Sequence, residues 1–291
     1  MKPIAKLFAS AITFAAISVA AQAQEPKGKV LVILSSETVL PLKDGKTFTT
    51  GYYLNELMIP AERFSDAGYE LVFANPKGNA PEVDQASVSA DYFGGSKEEL
   101  EKAKRLQRTL SGLGHPLALS AVSASDLAQY KAVFVPGGPA PMIDLMADPD
   151  LGTILRYFHE HKKTTVLLCH GPIALLSATR NPRATQAALR SGNNEQSRKL
   201  TVAWPYADYR MTVFSNEEED QAAKNVFHAE PLFRPEDALE LAGGKVGTVS
   251  AWHSKAIKDR ELITGQNPFS DKEMMDIVLA ALTTDAAQSQ K

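Results

Sequence analysis

The sequence has 291 residues, of which 44% are apolar, and its formal net charge at pH 7 is −3. This length and composition supply one substantial core, in one large domain with insertions. Acidic and basic residues are well mixed along the chain, so no basic stripe indicates a nucleic-acid partner and no acidic tail indicates a charged one.

The first 23 residues have the pattern of a secretory signal peptide. Lys2 and Lys6 give a positive start, residues 7–21 are apolar and rich in small side chains, and residues 21–23 (AQA) fit a small-x-small cleavage site. A transmembrane anchor is the alternative, but the apolar run is short for a span of about 20 residues and no stop-transfer charges follow it. We therefore expect cleavage after Ala23, a mature chain at 24–291 without membrane attachment, and a periplasmic or secreted location.

Predicted strands and helices alternate along the first part of the mature chain. Apolar, β-branched runs predict buried strands at 29–36, 69–76 and 131–138. Helical spacing of apolar residues predicts helices at 51–68, 96–110 and 150–163. Pro60 is expected to kink or divide the first helix, and Ser96 with Glu99 predicts a capping box at the start of the second.

The alternation continues from residue 164 to the end of the chain. The strand predicted at 164–168 leads into a helix that begins at 171–178. Further strands are predicted at 199–202, 209–215, 245–252 and 261–265, and further helices at 216–224, 235–241 and 271–282. Residues 76–91 and 178–201 are predicted to be insertions or long surface loops, and residues 283–291 a frayed tail.

Strands that are apolar on both faces and alternate with helices predict the fold class. The pattern is typical of an α/β fold in which a doubly wound, mostly parallel sheet carries helices on both faces. Ligands of such sheets bind beyond the carboxyl ends of the strands. The segments VPGG at 135–138 and LLCHG at 167–171 both fall at such ends, so we expect them to meet at one site.

Cys169 is the only cysteine of the chain and stands where a strand becomes a helix. A residue on such a sharp turn holds its side chain above the sheet, as in a nucleophile elbow. The N–H groups and the partial positive charge at the start of the next helix favour the thiolate, so we expect a lowered thiol pKa. The same N–H groups can hold an oxyanion. The alternative interpretation is a small, inert core residue.

The predicted export of the chain favours a reactive Cys169. A single cysteine cannot form an internal disulfide, and a free thiol in an oxidising compartment is a liability unless it is buried and inert or is used. His170 follows it directly, and its side chain can contact the sulfur, point to solvent or contribute to a dimer contact.

Several segments, in this order, resemble the ThiJ/PfpI superfamily, and most closely its branch of heat-shock chaperones that act as glutathione-independent glyoxalases, called glyoxalase III. The segments are TGYYLNELMIPAERFSDAGYELVFANPKG, VFVPGGPAPMIDL, TTVLLCHGPIALL, MTVFSNEEE and DRELITGQNPFS. The resemblance extends from residue 29 to residue 282, with 181–209 unmatched. It implies a flavodoxin-like, class I glutamine amidotransferase-like three-layer sandwich that forms a homodimer.

The resemblance also implies roles for particular residues. Cys169 matches the nucleophile, His170 the histidine that follows it, and Glu56 the acid whose carboxyl contacts the cysteine. Gly138 matches a backbone donor of the oxyanion site. Pro139 occupies the neighbouring substrate-binding position, where the branch often has a histidine, and proline supplies neither a backbone donor nor a titratable group.

The acidic residues have simpler interpretations when the resemblance is set aside. Glu56 then reads as an exposed polar position of a helix, whereas a Glu56 buried beside a thiol would have a raised pKa and could carry protons. Glu219 is our choice for the acid that orients His170, with Glu217 and Glu218 as close rivals. A solvated acidic helix start is the alternative for all three.

Two histidine patterns point to other chemistries. His228 and Glu230 offer the His-x-Glu pattern of amidotransferases, but they precede a helix entry and are expected to be structural or exposed. His159 and His161 lie two apart on a helix and face different sides, so we predict no metal site and no cofactor.

The resemblance implies an enzyme that converts methylglyoxal-type dicarbonyls to hydroxy acids without glutathione, through attack by Cys169. The alternatives are an exported holdase chaperone, a redox or stress protein that works through oxidation of the thiol, and a hydrolase or hydratase of another small electrophile. The expected partner is a small carbonyl compound, with no nucleic-acid or membrane partner.

Overall fold

The computed structural model describes residues 26–288 of the chain. The predicted signal peptide at 1–23 therefore lies outside the described residues, as do the last three residues of the predicted tail. Across the part of the chain that is described, none of the helices has the length and apolar character needed to span a membrane.

A sheet of seven strands organises residues 26–288. The strands of the described chain are β1 (Gly28–Ile33), β2 (Val39–Pro41), β3 (Thr47–Thr49), β4 (Tyr69–Asn75), β5 (Leu117–Ala118), β6 (Tyr130–Val135), β7 (Thr164–Leu168), β8 (Arg210–Met211), β9 (Lys245–Val246), β10 (Ala256–Asp259) and β11 (Leu262–Gly265). The sheet has the order β10-β11-β7-β6-β1-β4-β5. Its neighbouring strands are parallel, except that β10 and β11 are antiparallel.

Helices flank this sheet on both faces. They are α1 (Leu54–Asp66), α2 (Lys97–Thr109), α3 (Ala124–Leu127), α4 (Pro149–Glu160), α5 (Pro182–Arg190), α6 (Asn194–Leu200), α7 (Asn216–Ala222), α8 (Pro235–Leu241) and α9 (Asp271–Gln288). Helix α1 packs against α2, α9 and β4, whereas α4 packs against the 3-10 helix Gly171–Ala178. The predicted α/β class with a mostly parallel, doubly wound sheet is therefore confirmed.

The central strands are apolar because both of their faces are covered. Every residue of β7 and β11 is buried, and so are the last four residues of β1. Strands buried on both faces read as continuous apolar runs rather than as alternating patterns. The bounds predicted for β7 and α8 match the structure to the residue. Pro60 is buried inside α1, which continues past it as one helix.

The predicted strand at 199–202 is wrong, because its first two residues end α6. The side chain of Asn193 accepts a hydrogen bond from the N–H of Gln196 and thereby caps that helix. The region 178–201 is likewise not a plain loop, since α5 and α6 fill much of it. The strand was predicted from a short β-branched run. The capping residue upstream was the better signal, because it marks the start of a helix.

Four other predicted elements differ in type or length. The segment Gly171–Ala178 is wholly buried and forms a 3-10 helix rather than the start of an α-helix. The strands predicted at 209–215 and 245–252 shrink to two residues each in β8 and β9. Helix α9 continues to Gln288 instead of fraying at 283. The hydroxyls of Thr283 and Thr284 bond to carbonyls four residues back, which is compatible with a continued helix.

Candidate active site

Cys169 stands at the carboxyl edge of the sheet, directly after β7. Its φ is 59°, in the left-handed region that a residue with a side chain rarely adopts. Two backbone hydrogen bonds hold it there: its N–H donates to Gly265 O at 2.9 Å, and its carbonyl accepts from Phe214 N at 3.0 Å. The sulfur-bearing residue is thus fixed on a strained elbow from both sides.

Glycines let the turn after β6 approach this elbow. A Cβ on Gly137 would lie 2.5 Å from Glu56 Oε2 and 2.6 Å from Cys169 Cβ, and a Cβ on Gly171 would lie 2.6 Å from Val135 O. No side chain fits at such distances, so the two segments predicted to meet at one site do so through glycine.

Glu56 is fully buried in the first turn of α1. Its Oε2 accepts a hydrogen bond of 3.0 Å from the N–H of Gly137, its carboxyl lies beside the Cys169 thiol, and its Oε1 has no hydrogen-bond partner among the described residues. Burial raises the pKa of Glu56 from 4.5 to about 8, while its interactions with Cys169 and the Gly137 N–H oppose the rise. The carboxyl therefore carries a proton at neutral pH.

Burial governs the Cys169 thiol as well. Loss of contact with water raises its pKa well above the usual value, and the ionised form of Glu56 raises it further, while the Gly138 N–H acts in the opposite direction. The expected lowering of the thiol pKa is therefore wrong for the resting site, because desolvation outweighs the amide dipoles. A thiolate has to be formed by transfer of the proton to a neighbouring group.

His170 links the sulfur to a carboxylate. Its Nδ1 lies 3.3 Å from Cys169 Sγ, and its Nε2 lies 3.1 Å from Glu219 Oε1. The ring is buried and stacks on Phe214, with ring centroids 4.3 Å apart. The imidazole is thus held at both nitrogens and on one face, in a position to accept the thiol proton.

The three acids of α7 have three different surroundings. Glu219 is buried and contacts His170, as described above. Glu218 is also buried, but its carboxylate accepts five hydrogen bonds from other groups, including the backbone N–H groups of Ser215 and Trp252. Glu217 accepts from the N–H of Ala251. The structure therefore brings Glu219 to His170, and its orienting role stays a prediction.

The predicted substrate-binding residues lie beside the sulfur. Gly138 has a φ of 84°, and its N–H is near enough to the Cys169 sulfur to act against the rise of the thiol pKa. Pro139 is buried and precedes the 3-10 turn Ala140–Met142. The ring of Pro139 occupies a place where a histidine would supply a donor, so Gly138 carries the backbone contact at this edge.

The remaining histidine patterns lie away from Cys169. His228 is exposed and its Nδ1 bonds to Lys224 O, while Glu230 pairs with Arg234. His159 Nδ1 lies 2.9 Å from Glu261 Oε1. Among residues 26–288, no group of three or more His, Cys, Asp or Glu side chains is arranged to hold a metal ion.

Sequence reasoning missed a set of aromatic side chains around Cys169. We call this set the aromatic collar; its members are Tyr53, Tyr92, Phe214, Trp252 and Phe269. They come from five separate segments, mostly loops, so no periodicity marks them as neighbours. The only local signal is the position of Tyr53, three residues before Glu56.

A sheet of this topology, with a cysteine on an elbow between an acid and a histidine, defines a class of α/β proteins that hold a cysteine at the carboxyl edge of the sheet. Residues 48–237 match the profile of the family described as ThiJ/PfpI family-like, and the chain belongs to that family. The family resemblance stated from the sequence is thereby confirmed.

Individual relatives extend this comparison. The protein/nucleic acid deglycase HchA of Staphylococcus aureus is 27% identical over 261 residues, which cover 86% of this chain and 78% of the relative. Two solved structures share the fold. The Rapid Encystment Protein of Francisella tularensis is 22% identical, with a TM-score of 0.64 over 88% of this chain and 99% of its own. Glyoxalase III of Candida albicans is 21% identical, with a TM-score of 0.61 over 87% and 97%.

A buried, protonated Glu56 has a consequence for stability. The native carboxyl keeps its proton up to about pH 8, whereas the carboxyl of the unfolded chain loses it near pH 4.5. The raised pKa therefore makes the wild-type protein less stable as pH rises between these values. Glu56→Gln should remove this loss. The unfolding free energy of the variant minus that of wild type should therefore be about 3 to 5 kcal/mol larger at pH 9 than at pH 4.

Urea unfolding of both proteins across this pH range measures the difference. Glu62→Gln, which removes a partly exposed carboxyl from the same helix, is the matched control and should not reproduce the slope. A stability difference between wild type and Glu56→Gln that stays constant with pH would mean that Glu56 is ionised in the native protein.

Proposed function

We propose that this protein is a cysteine-dependent, glutathione-independent enzyme of the glyoxalase III type, which converts methylglyoxal-like dicarbonyls to hydroxy acids. The observation that carries the proposal is the arrangement of three groups around one sulfur. Cys169 Sγ contacts His170 Nδ1, the Glu56 carboxyl and the Gly138 N–H. The names of two relatives, a deglycase and a glyoxalase III, support the same general chemistry.

The first step is attack of sulfur on the aldehyde carbon. His170 takes the thiol proton, and the paired Glu219 carboxylate stabilises the imidazolium that forms. The C–S bond forms while the aldehyde oxygen gains a negative charge, which the Gly138 N–H can hold as it otherwise holds the sulfur. Return of the proton to that oxygen gives a neutral hemithioacetal.

The second step moves hydrogen between the two carbons of the substrate. A base removes the proton from the former aldehyde carbon, and an enediol forms. Reprotonation at the former ketone carbon gives a thioester of a hydroxy acid, so one carbon is oxidised and its neighbour reduced without an external oxidant. His170 and Glu56 are the two candidates for this transfer, because both lie beside the sulfur to which the substrate is bound. His170 is unprotonated after the first step, whereas Glu56 would have to give up its own proton before it could act as the base.

Water completes the cycle by hydrolysis of the thioester. It adds to the carbonyl carbon, the C–S bond breaks, and the thiol regains its proton. The sum is methylglyoxal plus water giving lactic acid. Because Glu56 keeps a proton to about pH 8, it can donate that proton to sulfur as the C–S bond breaks, and it regains a proton from the water that adds to the carbonyl carbon.

The deglycase name of the Staphylococcus relative widens the range of electrophiles. The same sulfur could attack a dicarbonyl carbon that is already attached to a protein or a nucleic acid. Our expectation that nucleic acids are not partners therefore finds no support in the comparison. A holdase function remains the alternative from a different class, and it would persist when Cys169 is replaced by alanine.

Formation of D-lactate from methylglyoxal by the purified protein tests the proposal directly. We expect Cys169→Ser to lower kcat/KM by about a thousandfold or more, because the attacking sulfur is lost. Circular dichroism shows whether the variant is folded. Equal turnover by wild type and a folded Cys169→Ser protein would contradict the mechanism, and absence of turnover by wild type would contradict the function.

The pair of neighbouring acids on α7 offers a matched test of the His170 contact. Glu219→Gln should lower kcat about a hundredfold with little change in KM, because it removes the partner that stabilises the imidazolium. Glu217→Gln lies two residues away, bonds only to the Ala251 N–H among described contacts, and should keep kcat near that of wild type. Equal losses in both variants would show that Glu219 acts through folding alone.

We also propose that the protein is exported and matured by removal of residues 1–23. The positive start, the apolar segment and the AQA sequence support this proposal. Expression of the full chain in a Gram-negative host should yield a periplasmic protein whose N-terminus is Gln24. Ala23→Arg should block processing, whereas Gln22→Lys, at the tolerant middle position, should not. A cytoplasmic protein that retains Met1 would contradict export.

A further inference from the structure

The aromatic collar forms a continuous set of ring contacts above Cys169. Tyr53 contacts Tyr92 at 5.5 Å between centroids, and Tyr92 stacks on Phe269 at 5.9 Å. Phe269 contacts Trp252 at 6.4 Å, and Trp252 contacts Phe214 at 5.7 Å. The series ends on His170, which stacks on Phe214. It therefore runs from the residue before α1 to the histidine beside the nucleophile.

Cys169 is closed to solvent in the described conformation, and three collar rings lie near it: Tyr53 and Tyr92 interact with the Cys169 side chain, and Phe214 stacks on His170. Cys169 is 1% exposed, and Glu56 and His170 are buried with it. Two collar rings, in contrast, remain open to water: Trp252 is 37% and Phe269 is 38% exposed, and they are among the large apolar side chains that the described surface leaves exposed. The distance between their ring centroids is the longest among the collar contacts, so we take the contact of Trp252 with Phe269 as the entrance that a ligand would open by separating the two rings.

The chemistry of the collar is apolar and planar, with acids behind it. The Tyr92 hydroxyl bonds to Tyr53, and the buried Asp84 carboxyl lies near both tyrosines and Glu56. No lysine or arginine is among the collar residues. A negatively charged substituent would meet the buried Asp84 carboxyl with no cation among the collar residues to compensate, whereas an aromatic substituent would gain stacking contacts on both sides.

We infer that the aromatic collar selects dicarbonyls that carry an uncharged aromatic substituent, which would insert between Trp252 and Phe269 while the aldehyde carbon reaches Cys169. This inference rests on the proposed function for its chemistry. A methyl substituent covers little of the ring surface that the collar offers, so phenylglyoxal should be a better substrate than methylglyoxal. Its product, by the same internal transfer of hydrogen and addition of water, is mandelate.

The first experiment compares kcat/KM for phenylglyoxal and methylglyoxal. Wild type should favour phenylglyoxal, and Trp252→Ala should lower that preference about tenfold. Trp252→Phe keeps a ring and should retain most of it. Val202→Ala, which shortens an apolar side chain that is 66% exposed and lies outside the collar, should leave the ratio unchanged. If Trp252→Ala does not fold, Phe269→Ala carries the same test.

A second experiment does not depend on turnover. Cys169 is the only cysteine, so the rates of its alkylation by iodoacetamide and by N-benzyl iodoacetamide report the entrance alone. Wild type should favour the benzyl reagent, and Trp252→Ala should reduce that preference. If Trp252→Ala loses the preference for the benzyl reagent but wild type turns over neither dicarbonyl, the collar inference is supported and the proposed enzymatic function is refuted. If the protein turns over methylglyoxal but Trp252→Ala changes neither the ratio of kcat/KM for the two dicarbonyls nor the ratio of the two alkylation rates, the collar inference is overturned and the proposed function stands.

Discussion

The left-handed backbone of Cys169 is the constraint on which the rest of the site depends. A non-glycine residue in this region costs on the order of 1 to 3 kcal/mol, and it persists only where the surroundings fix it. Here the surroundings are the carbonyl of Gly265 at the end of β11 and the N–H of Phe214. Because β11 pairs with β7, the sheet itself sets the position of the sulfur. His170, next in the chain, is placed by the same turn.

Three buried carboxyl groups lie near this turn, and the protein offsets the cost of burying each one in a different way. Glu218 is solvated by five hydrogen bonds from the protein and serves the structure. Glu219 faces an imidazole, so its carboxyl is placed to stabilise a histidine that gains a proton. Glu56 has few donors and avoids the cost of a buried charge by retaining its proton. Identical side chains thus differ in function because their hydrogen-bond donors differ.

The sequence predicted those parts of the molecule that follow from local pattern. The apolar run of β7 and the turn at Cys169 were identified correctly, because a strand buried on both faces and a sharp turn both leave a local signal. Glu56 needed the family resemblance, since helical spacing does not show whether a single carboxyl is buried. The sequence did not indicate the contact between Trp252 and Phe269, because the β10–β11 hairpin that separates them in the chain, and not a local pattern, brings them together. The thiol pKa was misjudged because desolvation depends on neighbours that the sequence does not show.

A raised thiol pKa is consistent with a lone cysteine that must survive before it reacts. The thiolate is the form that oxidants and alkylating agents attack, so a buried, protonated sulfur is protected while no substrate is bound. The same burial strengthens every electrostatic contact once a carbonyl enters and water is excluded. In the proposed mechanism, His170 accepts one proton over a contact of 3.3 Å to form the nucleophile. Under that mechanism, protection and reactivity are compatible because the proposed acceptor of the thiol proton is already in place, with the Glu219 carboxyl on its far side.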